Sequence, residues 1–252
     1  MWLVGLFSRS QPAQSTGFND WRFYDLTSEG VTVASSLGGG SELGWWALMS
    51  ATPQAGARLF TLAPELGESR RLSTSAEIAQ EIDRSGPGWG APVVERVEIV
   101  AMTATAPSVM KPSALVRRAT MGDLRGLMTL PIAVEDQTLD QARAVLASRI
   151  NRGEVFIISQ NGVILAMAEG LKCGRYIDVQ HVYTRPDSRR RGYAAAMIST
   201  ICYEAAQKEM GVCLCVEATN ESAIRLYKRL GFDVWWHRVD LLFARKSGPP
   251  LP

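Results

Sequence analysis

Two rhythms of apolar and polar positions divide the second half of the chain into strands and helices. Residues 155–159 and 163–168 are largely apolar runs on either side of Asn161-Gly162, the strongest short hairpin signal in the sequence. Residues 176–183 are rich in β-branched and aromatic side chains and read as a strand leading toward Pro186. After it, Ala194, Ile198, Ile201, Cys202 and Ala205 recur at helical spacing, which gives one apolar face to lay on a sheet. Residues 212–216 form a buried strand. Asn220 then has the character of an N-cap and Gly231 that of the residue just past a helix end, so a helix lies between them. Residues 232–236 and 239–244 read as a last hairpin. Ahead of these elements, residues 115–117 make a short strand, Thr120-x-x-Asp123 caps a helix to about residue 130, and a second helix runs near 139–150. A strand, a crossover helix and another strand imply a mixed sheet with at least one parallel pair.

The first half is less regular. Gly38-Gly39-Gly40 marks a loop before residues 45–49, a buried strand or a short helix. Thr74-x-x-Glu77 is a capping box for a helix at 76–84, residues 85–90 are turn-rich, and residues 93–102 read as a strand of Val and Ile. Trp2, Trp21, Trp45, Trp46 and Trp89 give this half most of the tryptophan, and core packing explains them better than a tryptophan-lined ligand site. Residues 103–113 carry two prolines and few large apolar side chains, as a linker does. The expected organisation is an N-terminal α/β domain at 1–102, a linker at 103–113, a second domain at 114–247 and a disordered tail at 248–252.

Composition changes this picture little. The chain of 252 residues is 46% hydrophobic and 21% charged, an ordinary globular balance. A net charge of +2 gives no case for nucleic acid, since the basic residues are local. No apolar run approaches membrane-spanning length, and residues 1–7 are too short for a signal-peptide core, so the expected location is cytoplasmic. Cys173, Cys202, Cys213 and Cys215 have no second cysteine pair or histidine cluster to join them. They read as small hydrophobes, and no metal site is expected.

The chemistry concentrates in residues 182–194. A strand end is followed by Arg189, Arg190 and Arg191, and then by Gly192 and Ala194 at a helix start. Free N–H groups of a first helical turn face outward, the helix dipole adds partial positive charge, and glycine allows close backbone approach. Together these make a pyrophosphate seat. The loop, Arg189-x-x-Gly192-x-Ala194, resembles the acyl-CoA loop Gln/Arg-x-x-Gly-x-Gly/Ala of the GCN5-related N-acetyltransferase (GNAT) family. The downstream stretch Asn220-Glu-Ser-Ala-Ile-Arg-Leu-Tyr-Lys-Arg-Leu-Gly-Phe232 resembles the same family's Asn-x-x-Ala-x-x-x-Tyr-x-x-x-Gly-Phe pattern. The resemblance covers roughly residues 115–246. It implies an α/β fold of the α+β type, with a mixed, mostly antiparallel sheet flanked by helices whose fourth and fifth strands splay to admit acetyl-CoA. It further implies that the preceding domain is a degenerate half of the same kind, as in the tandem glycine N-acyltransferase-like branch, without a cofactor loop of its own.

By the same resemblance, Val182, Tyr183 and Thr184 offer backbone groups to the pantetheine arm. Arg189, Arg190, Arg191, Gly192, Tyr193 and Ala194 hold the phosphates, and Asn220 and Ala223 touch the arm. Tyr227 lies near the sulfur and protonates the leaving thiolate; packing alone is its other reading. Lys228 stands near the 3′-phosphate or in solvent. Asp178 falls where some members carry a catalytic base, with Glu217 or a water relay as alternatives, and His181 receives no role. The acceptor falls near residues 132–138 and 235–237, where Glu135 and Asp136 could draw a cation and Trp235 and Trp236 could form a wall. The implied activity is acetyl transfer from acetyl-CoA to a primary amine of a small molecule or peptide, by direct attack in a ternary complex. A longer acyl-CoA, a non-catalytic CoA sensor or interaction module, and a homodimer stay open. No membrane or nucleic-acid partner is expected.

Overall fold

The computed structural model describes residues 2–8, 21–28, 31–39, 45–62, 71–85, 92–104, 112–131 and 138–244. Several calls of the sequence fall outside them: the turn-rich stretch at 86–90 with Trp89, the linker residues 105–111, the acidic loop with Glu135 and Asp136, the tail at 248–252, and the side chains of Trp2, Trp21, Trp45 and Trp46. Two compact units emerge, residues 1–99 with 237–252, and residues 100–236.

The first unit is built from β1 (Trp2–Ser8), β2 (Trp21–Ser28), β3 (Val31–Gly39), β4 (Trp45–Ser50), α1 (Pro53–Leu62), β5 (Arg71–Thr74), α2 (Ala76–Ser85) and the start of β6 (Val93–Ala104). Strands β1 to β4 pair antiparallel in succession, and β5 then runs parallel to β4 after the α1 crossover. Gly38 and Gly39, expected in a loop, continue β3 opposite Trp46 and Trp45, because glycine is weak in a strand but not excluded from one. The cap of α2 also differs from expectation. Thr74 is the last residue of β5, fully buried, and its hydroxyl donates to the Leu48 carbonyl at 3.0 Å. Ser75 caps α2 instead, accepting from Ile78 N at 3.3 Å.

The second unit holds β7 (Arg117–Arg118), a 3-10 turn at Met121–Asp123, α3 (Leu124–Leu127), α4 (Leu139–Asn151), β8 (Val155–Gln160), β9 (Val163–Cys173), β10 (Tyr176–Thr184), α5 (Tyr193–Ala206), β11 (Gly211–Glu217), α6 (Glu221–Arg229) and the opening residues of β12 (Asp233–Phe243). Asn161 and Gly162 take φ of 50° and 77°, the two left-handed positions of a tight hairpin turn between β8 and β9. Thr120 and Asp123 form the expected box, but the helix after it ends at Leu127 rather than near 130. β8, β9 and β10 pair antiparallel, and β11 returns parallel to β10 after α5. One face of this sheet carries Phe156, Ile158, Ala166, Ala168 and Val179 against Ile198, Ile201, Cys202 and Ala205 of α5. The other face carries Val155, Ile157, Ile164 and Met167 against α3 and α4.

The two units thus repeat one order: an antiparallel three-strand run (β2–β4, β8–β10), a crossover helix, a parallel strand, a second helix and a final strand. Strand β12 starts in the second unit and ends in the first, and β6 starts in the first and ends in the second. Val239–Leu242 of β12 pair antiparallel with β5, and Val239, Leu241 and Phe243 fill the core of the first unit. Val100, Met102 and Ala104 of β6 fill the core of the second, where Thr103 Oγ1 donates to the Val212 carbonyl at 3.3 Å. Thr103 and Ala104, read from sequence as the start of a linker, are therefore strand. The expected C-terminal hairpin is instead the single strand β12, since His237-Arg238 supplies no turn residue and the chain runs straight through.

Candidate active site

The core of the site is the passage from β10 to α5. β10 and β11 are paired only from Tyr176↔Gly211 to Val179↔Leu214. Both strands continue, β10 to Thr184 and β11 to Glu217, without further partners on each other, so they part after Val179. β10 keeps its antiparallel partner β9, with a bulge between Gln180 and Tyr183. An extra residue in a strand inverts the alternation of faces. Val182 accordingly packs with the α5-side core, alongside Ile177 and Val179, while Tyr183 packs with the α3/α4 side. Val182, Tyr183 and Thr184 are all half-buried on the stretch where the strands have parted.

After Thr184 the chain makes a 3-10 turn at Pro186–Ser188, held by Ser188 N donating to Arg185 O at 2.9 Å. Arg189 Nε then donates to the Thr184 carbonyl at 3.3 Å, tying the loop to the strand end. Arg190 (φ 62°) and Gly192 (φ 79°) both sit in the left-handed region, which turns successive amides toward one side. Gly192 is the N-cap of α5 and offers no side chain to its first turn, whose first bond is Ala196 N to Gly192 O at 2.9 Å. The backbone N–H groups of residues 190–195 make no hydrogen bond among the described residues. A Cβ placed on Gly192 would meet nothing within 4 Å, so the space before these amides is open. Arg190 and Arg191 are exposed and enter no ion pair among the described residues. An anion of two linked phosphates fits this donor set.

Tyr227 comes from α6, whose N-cap Asn220 accepts from Ala223 N at 3.2 Å. Tyr227 is only 6% exposed, its ring 5.9 Å from that of Phe232, in the core cluster against which Val182, Tyr193 and Ala223 also pack. Its hydroxyl makes no hydrogen bond among the described residues. Burial raises its pKa, so the phenol carries its proton at neutral pH. Tyr227 thus belongs to the same core cluster that Val182, Tyr193 and Ala223 pack against. Lys228 is exposed on α6, and Glu217 is exposed at the end of β11. Trp235 is 73% exposed and Trp236 36%, so neither is a buried strand residue.

Asp178 stands apart from the loop. It is half-buried opposite Cys213, in the part of β10 that still pairs with β11, and Gln180 Nε2 donates to its Oδ2 at 2.6 Å. Burial pushes the Cys213 thiol up to about 12, with the Asp178 charge adding to it, and burial does the same to Cys202. These thiols pack rather than react. His181, given no role from sequence, is turned to Asp178's side of β10 by the bulge, where unbroken alternation would put it on the other face. Its φ is 48° and its Nδ1 lies 2.9 Å from Glu169 Oε2. Glu169 is 2% exposed and also meets Arg149 of α4. No local motif marks this group, because its members come from three elements; a charged Glu169 within the apolar run 163–171 was the one available signal.

Residues 125–232 match the family model described as the acetyltransferase (GNAT) family. No curated protein matches the chain. Among solved structures it is similar to a Drosophila protein at 14% identity and TM-score 0.71, over 90% of this chain and 80% of that one. A putative GNAT-family acetyltransferase from Novosphingobium aromaticivorans is similar at 22% identity and TM-score 0.59, over 84% and 89%. A tandem GNAT protein from the clavulanic acid biosynthesis pathway is similar at 11% identity and TM-score 0.57, over 91% and 83%. At these identities the likeness is one of fold.

Proposed function

We propose, from the match of residues 125–232 to the acetyltransferase (GNAT) family model, that the chain is an acyltransferase of that type and transfers an acetyl group from acetyl-CoA to a primary amine of a small molecule or peptide. The row of unpaired amides from 190 to 195, at the mouth of the parting between β10 and β11, carries this reading. That row, with Arg189, Arg190 and Arg191, holds the pyrophosphate. The free edge of β10 at Val182, Tyr183 and Thr184 takes the pantetheine arm as an added strand would, through backbone groups alone. Asn220 and Ala223 border the arm from α6.

Holding the thioester carbonyl and the amine together supplies much of the rate. A backbone N–H at Val182 polarises the carbonyl, the amine attacks directly, and Tyr227 gives its proton to the leaving sulfur. Asp178, the first carboxylate candidate for the base, is held back from the parting by its pairing and by Gln180.

The first unit reads as a copy without a cofactor seat. Only residues 51 and 52 connect β4 to α1, where residues 185–192 connect β10 to α5. Thr52 Oγ1 already accepts from Ala55 N at 3.2 Å, so that helix start is closed.

The test is calorimetry with acetyl-CoA and thiol release over a panel of amines. Gly192→Glu is expected to abolish binding, because a carboxylate would stand against the phosphates; unchanged affinity would remove the reading. Faster release from a longer acyl-CoA would move the assignment to that donor, and tight binding without release from any amine would make the chain a sensor.

A further inference from the structure

We propose that His181, oriented by Glu169 and Arg149, is the base that accepts the proton of the acceptor amine. This rests on the acyl-transfer reading above and extends it to residues outside the family's sequence motifs in this chain.

Three independent features of the second unit converge. First, position: β10 and β11 part after Val179, and His181 is the second residue beyond the parting, next to Val182, whose backbone edge flanks the thioester. Second, conformation: His181 is a non-glycine residue at φ 48° within a bulge, and such strain is retained mainly where the surroundings over-determine it. Third, partners: Nδ1 lies 2.9 Å from Glu169 Oε2, and a carboxylate can only accept, so Nδ1 is assigned the ring proton. Nε2 then carries the lone pair, and it has no partner among the described residues.

Glu169 is a buried carboxylate with a 3% exposed side chain, while the His181 ring is 33% exposed. A buried acceptor behind a half-open imidazole is the arrangement that fixes the tautomer and steadies the imidazolium when it forms. Arg149 of α4 meets the same Glu169 oxygen, which keeps the carboxylate from being an uncompensated buried charge. The charged and titratable groups facing His181 are therefore Glu169 from β9 and, behind it, Arg149 from α4. Asp178, on the same strand face, is engaged by Gln180.

The protons balance. As the amine nitrogen bonds to the carbonyl carbon it loses one proton to His181 Nε2; as the carbon–sulfur bond breaks, sulfur takes one from Tyr227. Exchange with solvent then restores both side chains. His181 is catalytic in this scheme, whereas Glu169 and Arg149 are positioning residues.

The experiment uses the full chain, acetyl-CoA, and the amine that the wild type turns over in the panel. His181→Gln is expected to lower kcat about 10²-fold and to leave acetyl-CoA affinity by calorimetry within about twofold. Glu169→Gln keeps the imidazole but removes the carboxylate that fixes its tautomer, so kcat should fall about tenfold or more with acetyl-CoA affinity again unchanged. Wild-type kcat in His181→Gln or in Glu169→Gln overturns the proposal. Imidazole nitrogen NMR of the wild type reads the pair without any turnover: a neutral ring protonated at Nδ1 is expected, and a ring protonated at Nε2 overturns it. Absence of acetyl-CoA binding to the wild type would count instead against the acyl-transfer reading, and the NMR result would still decide the pair.

Discussion

Tyr227 is nearly enclosed, yet its hydroxyl has no partner among the described residues, and those two facts pull its role away from packing alone. The oxygen itself is not sealed off from solvent, so removing the hydroxyl costs the fold little. Tyr227→Phe should therefore leave the melting temperature within about 2 °C or raise it, because 1 kcal/mol is worth only about 2–4 °C in a chain of this size. The same change should lower kcat by about tenfold or more, with acetyl-CoA affinity unchanged. Equal turnover in the two proteins would return Tyr227 to the core. Gly192 poses the opposite case. Nothing crowds a Cβ there, so Gly192→Ala isolates the φ of 79°; it should cost about 1 kcal/mol, read as a lowered melting temperature. These two residues were legible in the sequence because their signals are local: a helix start after a basic loop, and a motif within one helix. His181 and Glu169 were not, since their meeting depends on a bulge that no short pattern announces, and parity along an ideal strand puts His181 on the wrong face.

At the level of elements, the strands and helices around the loop followed their periodicity, and the departures have identifiable causes. Thr74 satisfies the spacing of a capping box, but its hydroxyl is taken by the Leu48 carbonyl across the sheet, so the neighbouring Ser75 caps α2. Residues 232–244 hold no turn former at their centre, so two expected strands became one. At β7, Arg117 makes two 2.8 Å hydrogen bonds to the carboxylate of Asp123, which also accepts from Thr120, and so fixes the start of α3. The Arg117 guanidinium, ahead of the Thr120 contacts, holds the Asp123 carboxyl well below the usual range. A depressed folded-state pKa contributes stability above the unfolded value, about 4, and loses it as pH falls through the folded one. Arg117→Ala should thus destabilise at neutral pH, by less than about 1 kcal/mol because this arginine is half-exposed. The gap in melting temperature between variant and wild type should close as pH drops below 4; a constant gap from neutral to strongly acid pH would show that the pair contributes nothing through charge.

For the whole molecule, the exchange of final strands decides what can be cut. A fragment begun at residue 112, just ahead of the domain start expected at 114, holds every cofactor and catalytic candidate and looks like a complete domain. It lacks Val100, Met102 and Ala104, each 0–4% exposed in the core beside β11 and α6. Burying Val100 and Met102 is worth about 3–6 kcal/mol, a large share of the 5–15 kcal/mol typical of a folded protein. The same fragment keeps Val239, Leu241 and Phe243 but lacks Leu48, Leu59 and Leu72, the residues of the first unit that they pack with. It would carry one core short of a strand and one strand short of a core, with the edge of β11 open to association. Residues 112–252 are accordingly expected to aggregate or to lack cooperative unfolding by circular dichroism. Residues 92–236, which end before the exchanged segment and bring β6 with them, should unfold cooperatively and retain measurable affinity for acetyl-CoA. A well-behaved 112–252 fragment binding acetyl-CoA as tightly as the full chain would mean that the strand exchange is dispensable, and that each half closes its sheet without help.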